Sequence, residues 1–596
     1  MATDIPVLER QVPMSVPGPR PLRSVLAFLS VAAVLGAAVP AQASQAEPTA
    51  PVPGRPGADQ RYPVARDSYD LGSTAFEDDV KAEIQGVAHH PKDAPGKKFP
   101  VIVMLHGGHD TCAVGGESSV AWPCATGAQP LPSHSGYDYL GRELAARGNV
   151  VVSIGINGLT AAGAAEVLGG KMINQHLALW RKWQTPSADR AFARVADLKR
   201  IGLFGHSQGG EAAALAAAGN SDIEQIKAPV KALFLMAPGS MGEPAALKQP
   251  LAVMLPTCDG DLKDLNAMRH FDKSRYLSGP GPKYVFTVPG GNHNFFNTTW
   301  SPSSQLPGAK DDAAIAKPGS GCEPGAANRL SENRQREIAG QYVGAFFARH
   351  LKADKSQDAI LTGAAPVHTP AGEVQVTYQA PAAQRRDINR FAEQQSLTSN
   401  QLGGGVRADG GLKTKMCVQP RFEDIGQEEL DPSKWPSGLA GGHDAAYDVH
   451  YGHTMPVLGG GPTMLKASWD RRGGTLYNDI PLKFRNFSAY PTLRLRAAVD
   501  PTDRRNPAEA AQDFSLRLID TKGRRASLPV SRYSHAVDAP QTSTDPEGLK
   551  LFILNDIRIP LDHFKGVDLK DIAQVRMDFD RTNRGLAALM DLRLAP

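Results

Sequence analysis

The stretch that decides the fold is Arg200-Ile-Gly-Leu-Phe-Gly-His-Ser-Gln-Gly-Gly210. It contains four residues suited to a buried strand, Ile201–Phe204, and an alanine-rich helix is predicted to follow from Glu211 to Ala218. Between them lies a G-x-S-x-G pentapeptide, whose turn is so tight that side chains at its outer positions would collide with the strand and the helix. Glycine at both positions lets Ser207 Oγ project from the end of the strand. A glycine-rich turn with a solvated serine is the alternative, which the flanking elements disfavour.

Other apolar runs along the chain predict the neighbours of this strand. Strands are expected at Ala82–His89, Phe99–Leu105, Val150–Ile154, Val230–Met236, Leu251–Leu255 and Tyr284–Val288. Helices are expected within Gly136–Gly148, around Ile173, Leu177 and Trp180, and from Ser331 to Leu351. Strands that alternate with helices at these spacings predict an α/β protein with a mostly parallel sheet covered on both faces.

A glycine-rich turn, His106-Gly107-Gly108-His109, follows the Phe99–Leu105 strand. Without side chains in the way, backbone N–H groups of such a turn can point at a bound oxygen atom. An ordinary glycine turn is the alternative at this position.

A candidate acid follows the Leu251–Leu255 strand, in Pro256-Thr-Cys-Asp-Gly-Asp-Leu-Lys-Asp264. A carboxylate that orients a catalytic histidine is expected within about three residues of this strand, which favours Asp259 and keeps Asp261 as the alternative. One or both could instead cap the next helix. Calcium is not expected, because Lys263 occupies a ligand position and no suitable glutamate follows, so no metal is predicted.

The candidate general base lies in Pro289-Gly-Gly-Asn-His-Asn-Phe-Phe296, after the last main strand. His293 lies on a glycine-rich loop there, whereas His106 and His206 are interpreted as loop residues whose backbones matter. The chain order is therefore glycine turn, serine, acid and histidine. This is the order of α/β-hydrolases, and it differs from those of chymotrypsin and subtilisin.

On these motifs, residues 62–355 resemble secreted bacterial α/β-hydrolases of the dienelactone-hydrolase, cutinase and platelet-activating-factor-acetylhydrolase type. The matching pieces are His106-Gly107-Gly108, Gly205-His-Ser-Gln-Gly209, Pro250-Leu-Ala-Val-Met-Leu-Pro-Thr-Cys-Asp259 and Gly291-Asn-His293. The resemblance implies Ser207 as nucleophile, His293 as base and Asp259 as orienting acid, with no cofactor. It also implies an oxyanion hole formed by the backbone N–H groups of Gly108 and Gln208. Cys258 and the segment Asn297–Cys322 depart from the general pattern, and the substrate is not carried over.

The amino terminus predicts export. Residues 1–43 are typical of a signal peptide, with Arg20 and Arg23 before the apolar run Ser24–Val39 and an A-x-A cleavage signal at Ala41–Ala43. An uncleaved anchor is the alternative. Residues 44–61 are proline-rich and are predicted to be a disordered tether. The mature protein is thus expected to be secreted and extracellular, without membrane association after cleavage.

The charge of the chain indicates which partners are expected, and its cysteine content indicates which disulfides are expected. The chain has 65 basic and 61 acidic residues, a net charge of +4 and no basic stripe, so nucleic acid is not expected as a partner. Of five cysteines, an even subset is expected to pair in an exported protein. The pairs predicted are Cys112 with Cys124 and Cys258 with Cys322, which leaves Cys417 free.

The carboxyl-terminal part has a different pattern. Residues 356–420, including the glycine-rich Gln401–Gly411, are predicted to be a linker and long loops. Residues 421–596 contain short alternating runs, which predict an antiparallel β-sandwich. These runs are Thr492–Ala498, Phe514–Ile519, Leu551–Ile559, Val575–Phe579 and Leu589–Leu594.

Part of this region resembles galactose-binding-like jelly rolls. The segments Ile559–Asp568 and Val575–Phe579 are similar to their closing strands. The resemblance implies contact with carbohydrate or another polymer, and a purely structural module is the alternative. Trp435 and Trp469 are candidates for either a binding surface or the core.

Together these patterns predict a secreted serine hydrolase that cleaves carboxylic esters through an acyl-enzyme intermediate. Its substrate would be a small-molecule or polymeric ester, and the lack of a predicted helical cap between Val230–Met236 and Leu251–Leu255 favours accessible or polymeric esters. A serine peptidase of the same fold is one alternative. A secreted binding or adhesion protein with an inactive hydrolase fold is another.

Overall fold

The structure, a computed structural model, describes residues 62–417 and 464–596 apart from short gaps. The gaps are 78, 186, 189, 220–222, 240–243, 264, 266, 392–396, 500–502, 507–510, 538–545, 547, 549–550 and 552. The predicted signal peptide, the predicted tether, Trp435 and the side chain of Cys417 lie outside the described residues.

The amino-terminal region is an α/β structure built on a mixed sheet. Its strands are β1 Val64–Glu77, β2 Val80–Pro91, β3 Phe99–Leu105, β4 Cys112–Val114, β5 Glu117–Ser119, β6 Gln129–Pro130, β7 Val150–Ile154, β8 Ala196–His206, β9 Val230–Met236, β10 Leu251–Pro256, β11 Lys283–Val288, β12 His368–Thr369, β13 Gly372–Glu373 and β14 Gln375–Gln379. Within the described residues, nine of these form one sheet in the order β1-β2-β7-β3-β8-β9-β10-β11-β14. The six strands from β7 to β11 in this order are parallel, and β1, β2 and β14 pair antiparallel.

Helices cover both faces of this sheet. They are α1 Asp138–Ala146, α2 Asn157–Ala161, α3 Ala165–Lys182, α4 Ala191–Val195, α5 Gln208–Ala218, α6 Met268–Ser274, α7 Glu332–Lys352 and α8 Asp358–Leu361. Strand β3 illustrates this arrangement, because its alternate side chains enter two different cores. Val101 and Val103 pack in the core that contains α3 and α5, and Ile102 and Met104 pack in the core that contains α1 and α7. A strand buried on both faces must be apolar throughout, which is why its sequence is a continuous apolar run.

Each strand predicted in the α/β region is present, although β8 spans Ala196–His206 and extends well beyond the predicted Ile201–Phe204. Strands β3, β7 and β9 begin and end at the predicted residues, and α7 begins after Ser331, whose side chain accepts a hydrogen bond from the Arg334 N–H. Strand β1 was not predicted. It is an edge strand that is mostly exposed and polar, so it lacks both the apolar run and the alternation that identify strands.

The segment 356–420 differs from the predicted linker. It contains α8 and β14, and β14 extends the main sheet by pairing with β11, with Tyr378 opposite Tyr284. It also contains the first strands of the second region, and one of them, Val406–Asp409, lies inside the predicted glycine-rich loop. These strands are four or five residues long and contain many polar side chains, so sequence periodicity does not reveal them. Pairing with longer strands stabilises them instead.

The second region consists of two antiparallel sheets with a shared core, as predicted for a β-sandwich. Its strands are β15 Arg386–Asn389, β16 Val406–Asp409, β17 Lys413–Cys417, β18 Met464–Trp469, β19 Gly474–Asp479, β20 Thr492–Val499, β21 Ser515–Asp520, β22 Arg525–Pro529, β23 Asn555–Pro560, β24 Ile572–Phe579 and β25 Gly585–Ala595. Among the described residues one sheet has the order β17-β18-β25-β20-β23, with β15 paired to β25, and the other has the order β16-β19-β24-β21-β22. Side chains from both sheets form one apolar cluster. Trp469 is buried within it, so this tryptophan belongs to the core.

Buried ion pairs join the two regions, which lie in one compact unit. Arg496 on β20 contacts Asp272 on α6 at 2.9 Å, and Arg275 lies 3.4 Å from Asp591 on β25. Arg494 donates to the Thr362 carbonyl at 2.9 Å. These side chains have almost no solvent exposure, so the sandwich is packed against the α/β region through desolvated charges.

Both predicted disulfides are present, Cys112–Cys124 and Cys258–Cys322. Among the described residues, no helix has the length and apolarity that a bilayer crossing requires.

Candidate active site

Ser207 lies in a strained turn between β8 and α5. Its φ of 55° and ψ of −131° are unusual for a residue with a side chain. A Cβ on Gly205 would lie 2.4 Å from the Gly209 carbonyl oxygen, and a Cβ on Gly209 would lie 2.0 Å from that of His106. Glycine is therefore needed at both positions, for the steric reason that the sequence predicts.

The turn after β3 lies directly against Ser207. A Cβ on Gly107 would be 2.3 Å from Ser207 Cβ, and one on Gly108 would be 3.2 Å from Oε1 of Gln208. The structure thus brings both residues predicted for an oxyanion hole, Gly108 and Gln208, to the serine.

The imidazole of His106 holds this turn in place. Its Nε2 accepts a hydrogen bond from the Ile156 N–H at 2.9 Å, and its Nδ1 lies 2.8 Å from the Gly107 carbonyl oxygen. Burial lowers the pKa of His106 to about 3, so the ring is neutral, with its hydrogen on Nδ1 donated to Gly107. The side chain of His106, which the sequence interpretation set aside, therefore shapes the turn.

Asp259 and His293 form a buried pair. Their loops follow β10 and β11, which are adjacent and parallel, and Asp259 Oδ2 lies 2.9 Å from His293 Nδ1. The other carboxylate oxygen, Oδ1, accepts from the N–H groups of Asp261 at 2.9 Å and Leu262 at 2.6 Å. Asp259 therefore contacts the histidine and also stabilises the turn that follows it. The alternative that Asp259 or Asp261 caps the next helix is wrong, because α6 begins after Ala267 without a side-chain cap.

Asp261, the alternative acid, lies at the opposite end of the imidazole. Its Oδ2 is 3.5 Å from His293 Nε2, and its side chain is 60% exposed, whereas that of Asp259 is 2% exposed. Nε2 makes no hydrogen bond to any of the described residues. The two acids therefore have different relations to the histidine: Asp259 holds Nδ1 in the interior, and Asp261 faces Nε2 from the surface.

The charge of His293 is set by these neighbours. Burial alone lowers its pKa, but the carboxylates of Asp259, Asp261 and Asp312 outweigh burial and raise the pKa to about 9. At neutral pH the free protein thus holds His293 as an imidazolium. It must release a proton before it can accept one.

Two further rings pack against His293 and the serine turn. His206, directly before Ser207, has its ring centroid 4.9 Å from that of His293 and 5.0 Å from that of Trp300. Its Nδ1 lies 2.9 Å from Tyr137 Oη. Burial, and then the charge of His293, lower the pKa of His206 well below its usual value, so this ring is neutral. His206 links the serine turn to the histidine loop.

Asp312, a partly buried carboxylate, was not predicted as a site residue. It accepts hydrogen bonds from the backbone N–H groups of Gly260, His293 and Asn294. The signal for it in the sequence is indirect. It lies in the segment Asn297–Cys322, which departs from the general hydrolase pattern.

The sequence-predicted residues thus fall into two contacting sets. Ser207, Gly108 and Gln208 form one, and Asp259, Asp261 and His293 form the other, with His206 between them. All of them lie at or after the carboxyl ends of parallel strands. Within the described ranges, no group of three His, Cys, Asp or Glu side chains is arranged to hold a metal ion.

Neither a protein-family model nor a curated protein sequence matches this chain significantly.

Proposed function

We propose that this protein is a secreted serine hydrolase that cleaves carboxylic esters and has an α/β-hydrolase fold. The observation that carries the proposal is the 2.9 Å contact between Asp259 and His293, on loops adjoining a serine held at a φ of 55°. A positive φ at a serine between a strand and a helix is typical of a nucleophile elbow. The order of β3, β8, β10 and β11 in the sheet supports the fold assignment, because their carboxyl ends carry the turn, serine, acid and histidine.

In the proposed mechanism Ser207 Oγ attacks the ester carbonyl carbon while neutral His293 accepts the hydroxyl proton. The backbone N–H groups of Gly108 and Gln208 donate to the oxyanion. The tetrahedral intermediate collapses, and the alcohol leaves with the proton from His293. Water then attacks the acyl-serine by the same route, which releases the acid and restores the hydroxyl. Asp259 keeps the imidazole in the tautomer that presents Nε2 to the serine.

The predicted signal peptide and the two disulfides support secretion, because disulfides suit an extracellular protein. A separate feature supports an accessory role for the sandwich. The galactose-binding-like resemblance supports contact between the sandwich and a carbohydrate or other polymer. A polymeric ester would engage both regions, whereas a small ester needs only the α/β region.

The test compares Ser207→Ala with Ser187→Ala, an exposed serine of the same region, on p-nitrophenyl esters of increasing chain length. We expect Ser207→Ala to lower kcat on the order of 10⁴-fold or more and Ser187→Ala to leave it unchanged. A fluorophosphonate probe should label Ser207 in the wild-type protein and nothing in Ser207→Ala.

The outcomes separate this proposal from its alternatives. Cleavage of a peptide panel in preference to esters would indicate a serine peptidase. Failure of the probe to label Ser207, with no turnover of any ester, would indicate a binding protein with an inactive site and would overturn the proposal.

A further inference from the structure

The carboxylate of Asp312 bonds to the backbones of both loops of the Asp259–His293 pair. Oδ2 accepts from the Gly260 N–H at 2.8 Å and from the His293 N–H at 2.9 Å. Oδ1 accepts from the Asn294 N–H at 2.8 Å. Gly260 directly follows Asp259, so one side chain fixes the backbone at the acid and the backbone of the histidine itself.

The segment that carries Asp312 is itself anchored on both loops. The Cys258–Cys322 disulfide ties it to the residue before Asp259. Asp311 Oδ1 accepts from the side chains of Asn292 and Arg329, at 2.9 Å each. The segment also packs tightly, since a Cβ on Gly260 would lie 2.2 Å from the Asp312 carbonyl oxygen.

The cost of placing this carboxylate here indicates that it has a role. Burial, and then the charge of Asp259, raise the pKa of Asp312 above its usual value. An amide or hydroxyl would avoid the repulsion between two carboxylates, but an amide side chain presents only one oxygen and places an N–H₂ donor against backbone donors. Hydrogen bonds from N–H groups to a carboxylate are also roughly twice as strong as neutral ones.

We propose that Asp312 is a positioning residue for the Asp259–His293 pair. It acts through the backbone of both loops and does not touch the substrate. This inference rests on the proposed hydrolase function. Because small displacements of a reacting group can cost about 10²-fold in rate, loss of this clamp should affect turnover more than substrate binding.

The charge of Asp312 has a second, separable consequence. His293 faces the carboxylates of Asp259, Asp261 and Asp312, and the neutral ring of His206. Removal of one of these carboxylates should ease loss of the proton from His293. The acid limb of the kcat/KM profile, which reports the free enzyme, should then move to lower pH.

The experiment uses the full chain with Asp312→Asn, and with Asp311→Asn as the matched control. The control weakens the same segment but leaves the three backbone hydrogen bonds and the charge beside His293. Active sites are titrated with the fluorophosphonate probe, so that kcat refers to folded protein. For Asp312→Asn we expect kcat to fall 10- to 100-fold with KM within about threefold, and the acid limb to move to lower pH. For Asp311→Asn we expect the wild-type acid limb and a smaller loss of kcat.

An Asp312→Asn protein with wild-type kcat per titrated site and an unmoved acid limb would overturn the inference. If that variant does not fold, Gly260→Ala replaces it, because its methyl group separates the loops without changing any charge. A fall in kcat with the acid limb unmoved then supports the clamp, and unchanged kcat overturns it. Failure of the hydrolase proposal would be recognised separately, because the wild-type protein would then neither turn over esters nor react with the probe.

Discussion

Replacement of Asp261 by asparagine tests how much the charge of Asp261 raises the pKa of His293. The charge of Asp261 lies 3.5 Å from Nε2, and two unit charges at that distance attract by about 1.2 kcal/mol in water. Because the Asp261 side chain is 60% exposed, solvent keeps the effect near this low value, and exposed pairs commonly contribute ~0.2–1 kcal/mol. Since 1.36 kcal/mol corresponds to one pKa unit, the acid limb should move down by about 0.2 to 0.9 pH unit.

The assay is kcat/KM for a short p-nitrophenyl ester between pH 6 and 10. The wild-type profile should have its acid limb near pH 9, where His293 loses its proton. Asp261→Asn should raise activity at pH 7 and leave the plateau at high pH within a few-fold of the wild-type value. Asp470→Asn is the matched control, because its side chain is 65% exposed and lies in the second region.

Two results would refute this reasoning. If the acid limb does not move, Asp261 does not act on His293 in solution. If instead the plateau falls on the order of 10⁴-fold, the loss expected for the orienting acid of a triad, then Asp261 and not Asp259 has that role.

The remaining predictions concern stability. The pKa of His293 is raised from 6.5 to about 9 on folding, so its ion pairs stabilise the protein fully below pH 6.5 and this stabilisation is lost as pH rises to about 9. We therefore expect the difference in free energy of unfolding between the wild-type protein and His293→Gln, measured with urea, to become smaller from pH 6.5 to about 9. A difference that increases with pH would contradict this expectation. Asp591→Asn should lower the free energy of unfolding by about 3 kcal/mol, since it leaves Arg275 and Arg496 less compensated in a buried interface. The control variant Asp470→Asn should change the free energy of unfolding by less than about 0.5 kcal/mol. Equal values for the two variants would show that the buried ion pairs of Asp591 do not stabilise the protein.

Several features were predictable because they depend on short-range sterics or burial. Strand β3 is apolar throughout, and β7 and β9 each contain one polar residue, Ser153 and Lys231. Apolar runs of five to seven residues suit buried strands better than helices, which are usually longer. The tight turn at Ser207 requires glycine at 205 and 209 for reasons visible in five residues. Export predicted that an even subset of the cysteines would pair, but the sequence left several arrangements open, and the structure decided between them.

Other features depended on segments distant in sequence. Strand β14 is too short and too polar to be recognised alone, and it forms because β11 offers an unpaired edge. The contact of Asp312 with Gly260 and His293 spans 52 and 19 residues, and no periodicity records such a contact.

The sequence by itself determined which residues can carry the chemistry, because a strained turn and a buried strand constrain the amino acids within them. Only the tertiary structure decided how the acids divide their contacts, with Asp259 on Nδ1, Asp261 facing Nε2 and Asp312 on the backbone. That division depends on where three loops meet, and loop positions follow from the packing of the whole sheet and not from the residues of any one loop.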